Sequence, residues 1–200
     1  MIRVAGPGDV EDVLALVRQL AAYESEPGAV AMTAADLQAA LFAPMPSAHC
    51  LVATPDPLSA PDQATAQGVV PPPVVGFAIW HPTFSTWTGQ TGMHLIDLFV
   101  RAEHRRAGHG RGLLAALAAI AVEHGHRRLE WAVLDWNTPA HGFYRSLAAH
   151  PLDGWTTWRL DGDALTALAA QASPCPGISL FPHTQHTEDP PTAGPPAAPA

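Results

Sequence analysis

Hydrophobic positions along the chain follow two different periods, and together they predict an α/β protein. Residues Val10, Val13, Leu14 and Val17 repeat at the spacing of an amphipathic helix, and the apolar run 113–122 is long enough for a second one. Short apolar runs bounded by turn residues are typical of strands, and two of them, 48–53 and 74–80, are expected to pair antiparallel. The predicted strands are 2–4, 48–53, 74–80, 94–100, 128–134 and 155–160.

Cap residues and composition changes predict where these elements begin and end. Asp9 is expected to cap the first helix, Thr33 to open a second helix with a capping box, and Asn137 to cap a short one. Segment 54–73 is rich in Pro, Gln, Ala and Ser and is predicted to be a mobile surface loop. We expect one domain over 1–172 and a disordered Pro/Ala-rich tail over 173–200.

Composition excludes several classes of partner. The net charge of −8 over 200 residues argues against nucleic acid or an anionic membrane as the main partner. The apolar run 113–122 is too short to span a bilayer. Cys50 and Cys175 form no disulfide framework, so a reduced cytoplasmic compartment is the default expectation. His183 and His186 have a spacing that could bind a metal weakly, but unstructured histidines are the simpler interpretation, and no metal is expected.

The most informative stretch is an arginine- and glycine-rich turn at 105–112, between a predicted strand and a predicted helix. Glycines 108, 110 and 112 lack the Cβ atoms that would keep backbone N–H groups away from an anion. The helix that follows directs its unpaired N–H groups and the positive end of its dipole to the same place. The turn is therefore predicted to bind phosphate. It has neither the dinucleotide fingerprint nor the Gly-Lys-Ser/Thr ending of a nucleotide-triphosphate loop.

The order Arg-x-x-Gly-x-Gly after a strand resembles the pyrophosphate-binding motif of the GNAT acyltransferase superfamily. Residues 129–140 and 143–145 resemble the diamine and thialysine acetyltransferase branch, and the likeness extends from 20–24 through 49–53 to 154–155. The resemblance implies a GNAT fold, with a mixed, mostly antiparallel sheet flanked by helices. It also implies acetyl-coenzyme A as co-substrate, a small cationic amine as acceptor and a homodimer.

Family positions carried onto this sequence give three sets of candidate site residues. The catalytic candidates are Tyr144, Asp97 and His94. The cofactor-binding candidates are Leu98, Phe99, Val100, Arg105, Arg106, Ala107, Gly108, His109, Gly110, Arg111, Asn137, Ala140 and Arg145. The substrate-binding candidates are Tyr23, Glu24, Trp87, Ile96, Glu130, Trp131, Ala132 and Trp155.

Tyr144 is the candidate general acid, because a phenol is mostly protonated at neutral pH and donates to the departing thiolate. The alternative interpretation is a structural tyrosine that an amphipathic helix directs into the hydrophobic core. The resemblance also implies a bulge in the strand that contains Leu98, Phe99 and Val100, whose backbone would bind the pantetheine arm.

The sequence departs from its relatives where the amine would bind. Ile96 replaces the family's glutamate in the central strand, Asp97 is kept, and Ser85 replaces a second acidic residue. The loss favours thialysine-like amino acids or short diamines over long polyamines. Strand alternation is expected to put His94 on the same face as Ile96, about 7 Å away. An imidazole there is a plausible base through a water, although a structural histidine is the alternative.

Two other functions remain open from the sequence. A protein N-terminal acetyltransferase shares the fold and would need an open groove for a peptide. A coenzyme A-binding regulator with decayed catalysis is compatible with Ile96, but retention of Tyr144, Asn137 and the whole glycine-rich turn favours an enzyme. No cysteine lies in the motifs, so direct transfer within a ternary complex is expected rather than a covalent enzyme intermediate.

Overall fold

The structure is a computed structural model, and it describes residues 1–55 and 72–172. These residues fall in two units, with the division after Ala148. The predicted tail 173–200, with Cys175, His183 and His186, lies outside the described residues, as does most of the predicted loop 54–73.

The first unit is built on a five-stranded mixed sheet in the order β1-β2-β3-β4-β5. The first three pairings are antiparallel and the last, β4 with β5, is parallel. This confirms the expected mixed, mostly antiparallel architecture. The strands are β1 (Ile2–Val4), β2 (His49–Ala53), β3 (Gly76–Ser85), β4 (Gln90–Val100) and β5 (Leu129–Trp131).

Helices cover both faces of this sheet. The helices of the first unit are α1 (Val10–Tyr23), α2 (Ala34–Phe42), α3 (His109–Glu123) and α4 (Thr138–Arg145). One core cluster packs α1 and α2 against a face that includes Phe77, Ile79 and Phe99, called the α1 face below. The other packs α3 against a face that includes Trp80 and Leu95, called the α3 face. Hydrophobic burial on both faces holds the sheet between the helices.

Local signals explain most helix ends. Thr33 and Asp36 form the expected capping box at α2, and Gly125, at φ 70°, follows the end of α3. Asp9 is at the N-cap position of α1, but the prediction that its side chain caps the helix is wrong. Its carboxylate accepts instead from the Gly6 N–H at 2.7 Å and from two nitrogens of Arg3.

A β-bulge in β4 is the main irregularity of the sheet. Asp97 pairs with Ile79 and Leu95 pairs with Trp80, so Ile96 is the extra residue without a partner on β3. A bulge reverses the alternation of the residues that follow it. Asp97 consequently lies with Ile79 on the α1 face, where His94 also lies opposite His81. Strand alternation predicts that Ile96 follows His94 on this face, but because of the bulge Asp97 does so instead.

The second unit contains α5 (Gly162–Ala169), which follows Asp161. The strand predicted for 155–160 is wrong, since these residues have no regular structure. The strand predicted for 128–134 is also shorter than expected and ends at Trp131. Among the described residues, no helix has both the length and the apolar character needed to cross a membrane.

Candidate active site

A gap opens between β4 and β5 directly after the bulge. The two strands pair only where Met93–Leu95 face Leu129–Trp131, while β4 continues to Val100. The edge of β4 that carries Leu98, Phe99 and Val100 therefore has no strand beside it on the β5 side within the described chain. Backbone N–H and C=O groups on such an edge are available to an extended ligand. These are the positions expected to bind the pantetheine arm.

The glycine-rich turn leads from the end of β4 into α3 with the features of an anion-binding site. Gly108 precedes the helix at φ 85°, a conformation that favours glycine, and a Cβ there would point into open space. The first three helical N–H groups, at 109–111, have no acceptor within the helix, and no side chain caps them. Because these donors and the helix dipole face one place, the turn fits a pyrophosphate.

Arginines surround this turn, but they are not equivalent. Arg105 donates from Nε to the Val100 carbonyl oxygen at 3.0 Å, and its guanidinium lies over the rings of Tyr23 and Phe99. Arg106 and Arg111 are exposed. Arg105 therefore holds the turn against the end of β4, while the other two present their charge to solvent at the turn.

Two carboxylates lie close together on the α1 face. Asp97 is half-buried, and burial raises the pKa of its carboxyl. Glu24 follows α1, and its carboxyl pKa is raised by burial and then by repulsion from Asp97. Among the described residues, none donates a hydrogen bond to Asp97. Like charges that are desolvated and left without donors favour binding of a cation or a proton.

Tyr144 packs at the same gap but on the α3 face. Its ring contacts Trp131 of β5, with centroids 4.9 Å apart, and Phe143 at 5.3 Å. Burial raises the pKa of the Tyr144 phenol, so the hydroxyl stays protonated at neutral pH. The phenol and the two carboxylates therefore flank the gap from opposite faces of the sheet.

A hydrogen bond joins the end of α1 to the start of α4. The Tyr23 hydroxyl donates to Oδ1 of Asn137 at 3.0 Å, and the same oxygen accepts from the Ala140 N–H at 3.4 Å. The Tyr23 ring also contacts Trp136. Tyr23, a candidate for binding the amine, and Ala140, a candidate for binding the cofactor, therefore donate to the same oxygen atom.

The remaining candidates are spread more widely. Ile96, at the bulge, is 47% exposed and lies beside the gap. Trp87 is in the turn between β3 and β4 and is 85% exposed. Ala132 follows β5, and Arg145 is an exposed residue at the end of α4. Trp155 belongs to the second unit.

A polar row crosses the α1 face, and we call it the distal row. It consists of His81 on β3, His94 on β4 and Glu130 on β5, which are register neighbours. Sequence reasoning named His94 and Glu130 as candidates but missed His81 and the adjoining Arg128. The two imidazole centroids are 5.4 Å apart. Arg128 adjoins the row and donates to Glu130 at 2.8 Å and to Thr83 at 3.2 Å. The alternation of polar and apolar residues over 128–131 was the sequence signal that could have placed Arg128 and Glu130 on one face of the sheet. Among the described residues, no group of three or more side chains is arranged to hold a metal ion.

Comparison with known proteins agrees with this geometry. The model of the acetyltransferase (GNAT) family matches residues 25–148. Bovine (Bos taurus) thialysine N-epsilon-acetyltransferase is 38% identical over 86% of this chain and 98% of its own. L-ornithine N5-acetyltransferase NATA1 of Arabidopsis thaliana is 31% identical over 84% of this chain and 86% of its own. An integron cassette protein from the mobile metagenome of V. cholerae superposes with a TM-score of 0.65 at 25% identity, over 84% of this chain and 96% of that one.

A mixed sheet that opens beside a bulge, with a glycine-rich turn at the next helix, defines an acyltransferase that uses a pyrophosphate-bearing acyl donor. The chain belongs to the GNAT acetyltransferase family. It is an N-acetyltransferase, and acetyl-coenzyme A is the co-substrate of this family. The open edge of β4 and the uncapped start of α3 fit the two ends of that molecule.

Proposed function

We propose that the protein transfers the acetyl group of acetyl-coenzyme A to the primary amine of a small cationic molecule, a short diamine or a thialysine-like amino acid. The observation that carries this proposal is the gap between β4 and β5, with Glu24 and Asp97 on one face and Tyr144 on the other. An amine attracted by carboxylates reaches the thioester from the α1 face, and the sulfur departs towards the phenol.

The proposed reaction is a direct transfer within a ternary complex. Asp97 accepts a proton from the ammonium group, directly or through water, and the amine nitrogen attacks the thioester carbonyl carbon. N–H groups near Phe99 and Val100 stabilise the oxyanion that forms. The carbon–sulfur bond then breaks, and Tyr144 gives its proton to the thiolate. The attached nitrogen, which is still positively charged after the attack, loses its second proton to water, and solvent returns a proton to the Tyr144 phenolate. The products are the N-acetylated amine and coenzyme A.

The number of carboxylates at the gap limits the length of the amine that the site accepts. Ile96 supplies no carboxylate beside the gap, so the amine is held by Glu24 and Asp97 alone. Long polyamines carry further positive charges that would lack counter-charges there. Relatives named for thialysine and ornithine support a short acceptor with one terminal amine.

We also propose a cytoplasmic homodimer. Exposed apolar side chains in both units, among them Val4, Phe84 and Trp158, support an association of chains. Sedimentation of the purified protein tests the dimer directly, and a monomer at all concentrations would refute it.

The test of the activity is release of coenzyme A thiol from acetyl-coenzyme A across a panel of amines. The panel comprises thialysine, lysine, ornithine, putrescine, spermidine, an aminoglycoside and short peptides. We expect turnover on one class of short amine and a loss of about 10²- to 10⁴-fold in kcat for Tyr144→Phe. Binding of coenzyme A by the variant should be unchanged. Tyr23→Phe is the matched comparison, since it removes the chain's other phenol.

Two other outcomes identify the alternatives. Turnover on peptides but on no small amine would make the protein an N-terminal acetyltransferase. Saturable binding of coenzyme A without turnover on any amine would support a regulator, which Ile96 alone favours. Full activity of Tyr144→Phe would remove the phenol from the mechanism.

A further inference from the structure

The distal row on the α1 face contains polar and charged side chains that the transfer reaction does not require. It lies next to the gap, because His94 precedes the bulge by two residues and Glu130 precedes the last residue of β5. Its carboxylate is paired with Arg128, so this part of the face presents a negative and a positive charge side by side. Glu24 and Asp97, by contrast, are two negative groups.

Arg128 is held from three sides. Its Nε donates to Glu130 and one terminal nitrogen donates to Thr83. Its side chain lies across Gly92, where a Cβ would come within 2.8 to 2.9 Å of three of its atoms. A surface ion pair is usually mobile and contributes little to stability. Because Gly92 has no side chain, the Arg128 guanidinium packs over this position. Its remaining N–H donors are held in a fixed orientation and are available to a ligand.

The side chains of Arg128 and Glu130 are exposed enough to bind a ligand. The Arg128 side chain is 29% exposed and that of Glu130 is 37% exposed, so both are reachable from solvent. His81 and His94 are half-buried beside them. The burial of β3 on this face stops at Ile79, and the next residues of β3 on the same face, His81 and Thr83, are half-buried.

We propose that Arg128 and Glu130, with His94, form a subsite for the zwitterionic head group of an α-amino acid whose terminal amine is acetylated. Arg128 takes the α-carboxylate, and Glu130 takes the α-ammonium. An ion pair is complementary to a zwitterion, whereas a diamine can pair its second ammonium with Glu130 but offers no anion to Arg128. This inference rests on the proposed function and identifies the residues that select its substrate.

The spacing supports this division of roles. Asp97 and His94 face Ile79 and His81, which are two residues apart on β3. That separation is about 7 Å along the strand, and Glu130 lies beside His94 on the neighbouring strand, about 4.8 Å across. The two amines of an extended ornithine or lysine, with a hydrogen bond at each end, reach from Asp97 to Glu130. The terminal amine is then at Glu24 and Asp97 while the head group is at the distal row.

The experiment compares ornithine and lysine with their decarboxylated counterparts, putrescine and cadaverine, as acceptors. We expect wild type to favour the amino acids. Arg128→Gln should raise KM for the amino acids about 10- to 100-fold, with little change in kcat and no rise for the diamines. Gly92→Ala, which displaces the Arg128 side chain without removing its charge, should give the same selective rise in KM.

Arg127→Gln is the matched control, because Arg127 is an exposed neighbour that bonds Gln90. It should leave all four KM values unchanged. Equal use of amino acids and diamines by wild type, or an equal rise for both classes in Arg128→Gln, would overturn the subsite. If no amine is turned over, the proposed function has failed. Calorimetric binding of ornithine and putrescine to wild type and Arg128→Gln then decides the subsite separately.

Discussion

Asp97 should cost the protein stability while it supports activity. Its half-buried carboxylate has a raised pKa, lies near Glu24 and receives no hydrogen bond from any described residue. Leaving a buried polar group unsatisfied costs about 1–3 kcal/mol. Asn removes the charge but keeps a polar side chain. We therefore expect Asp97→Asn to raise the free energy of unfolding by about 1 kcal/mol at neutral pH, at the low end of that range.

The sign of the pH dependence follows from the direction of the shift. Because the folded-state pKa of Asp97 lies above the unfolded value, the penalty is fully present above the folded pKa. It disappears as the pH falls from there to the unfolded value of about 3.9. The two proteins should therefore differ most near neutrality and converge in acid. A gain of about 1 kcal/mol corresponds to a rise in Tm of about 2–4 °C for a chain of this size.

Thermal unfolding and coenzyme A release measured on the same preparations test this reasoning. We expect Asp97→Asn to lose about 10²- to 10⁴-fold in kcat/KM while it gains stability. In a double-mutant cycle with Glu24→Gln, the double variant should gain less than the sum of the singles, because either single change removes the repulsion. Asp12→Asn, at an exposed position of α1, should keep full activity. A less stable Asp97→Asn, or one with full activity, would refute the argument.

Four further substitutions have defined outcomes. Asp9→Asn should lower the free energy of unfolding by about 1–2 kcal/mol, since the carboxylate binds two nitrogens of Arg3. Arg3 lowers the pKa of Asp9, so this stability is present above about pH 4 and is lost as the pH falls through the folded pKa, as urea titrations would measure. Gly108→Ala and Gly125→Ala, both at positive φ, should each lose about 1 kcal/mol, but only the former should weaken coenzyme A binding in calorimetry. Ile96→Glu should raise kcat/KM for spermidine about five-fold without a change in Tm, and an unchanged value would contradict the charge argument.

Periodicity and local chemistry were sufficient for most elements of the first unit. The helix after the glycine-rich turn and the strand 49–53 lie where apolar runs and turn residues predict them, whereas the strand predicted for 74–80 begins at Gly76 and continues to Ser85. The capping box at Thr33 is a local interaction between residues three apart, so the sequence contains all of it. Tyr144 became a candidate through a motif rather than through periodicity, and its contact with Trp131 is visible only in the structure.

Features that depend on pairing between distant segments could not be predicted. No glycine or proline marks the bulge in the stretch 94–100, and only the register with β3 reveals that Ile96 is the extra residue. Residues 155–160 have the composition of a strand, but a strand also requires a partner, which propensity does not supply. Arg128 reaches Thr83 across 45 positions of sequence, so its fixed orientation has no local signal.

The shared acceptor at Asn137 has a consequence for how the affinities of the two substrates depend on one another. The Oδ1 atom of Asn137 caps α4 through the Ala140 N–H and also accepts from the Tyr23 hydroxyl, so a displacement of α4 lengthens the bond to Tyr23. Tyr23 precedes Glu24 directly, and α4 carries Tyr144. Thermodynamic linkage is reciprocal, so whatever factor the bound acetyl donor imposes on amine affinity, the amine imposes on the donor. The affinity of each substrate measured in the presence of the other therefore reports on this single hydrogen-bonded junction.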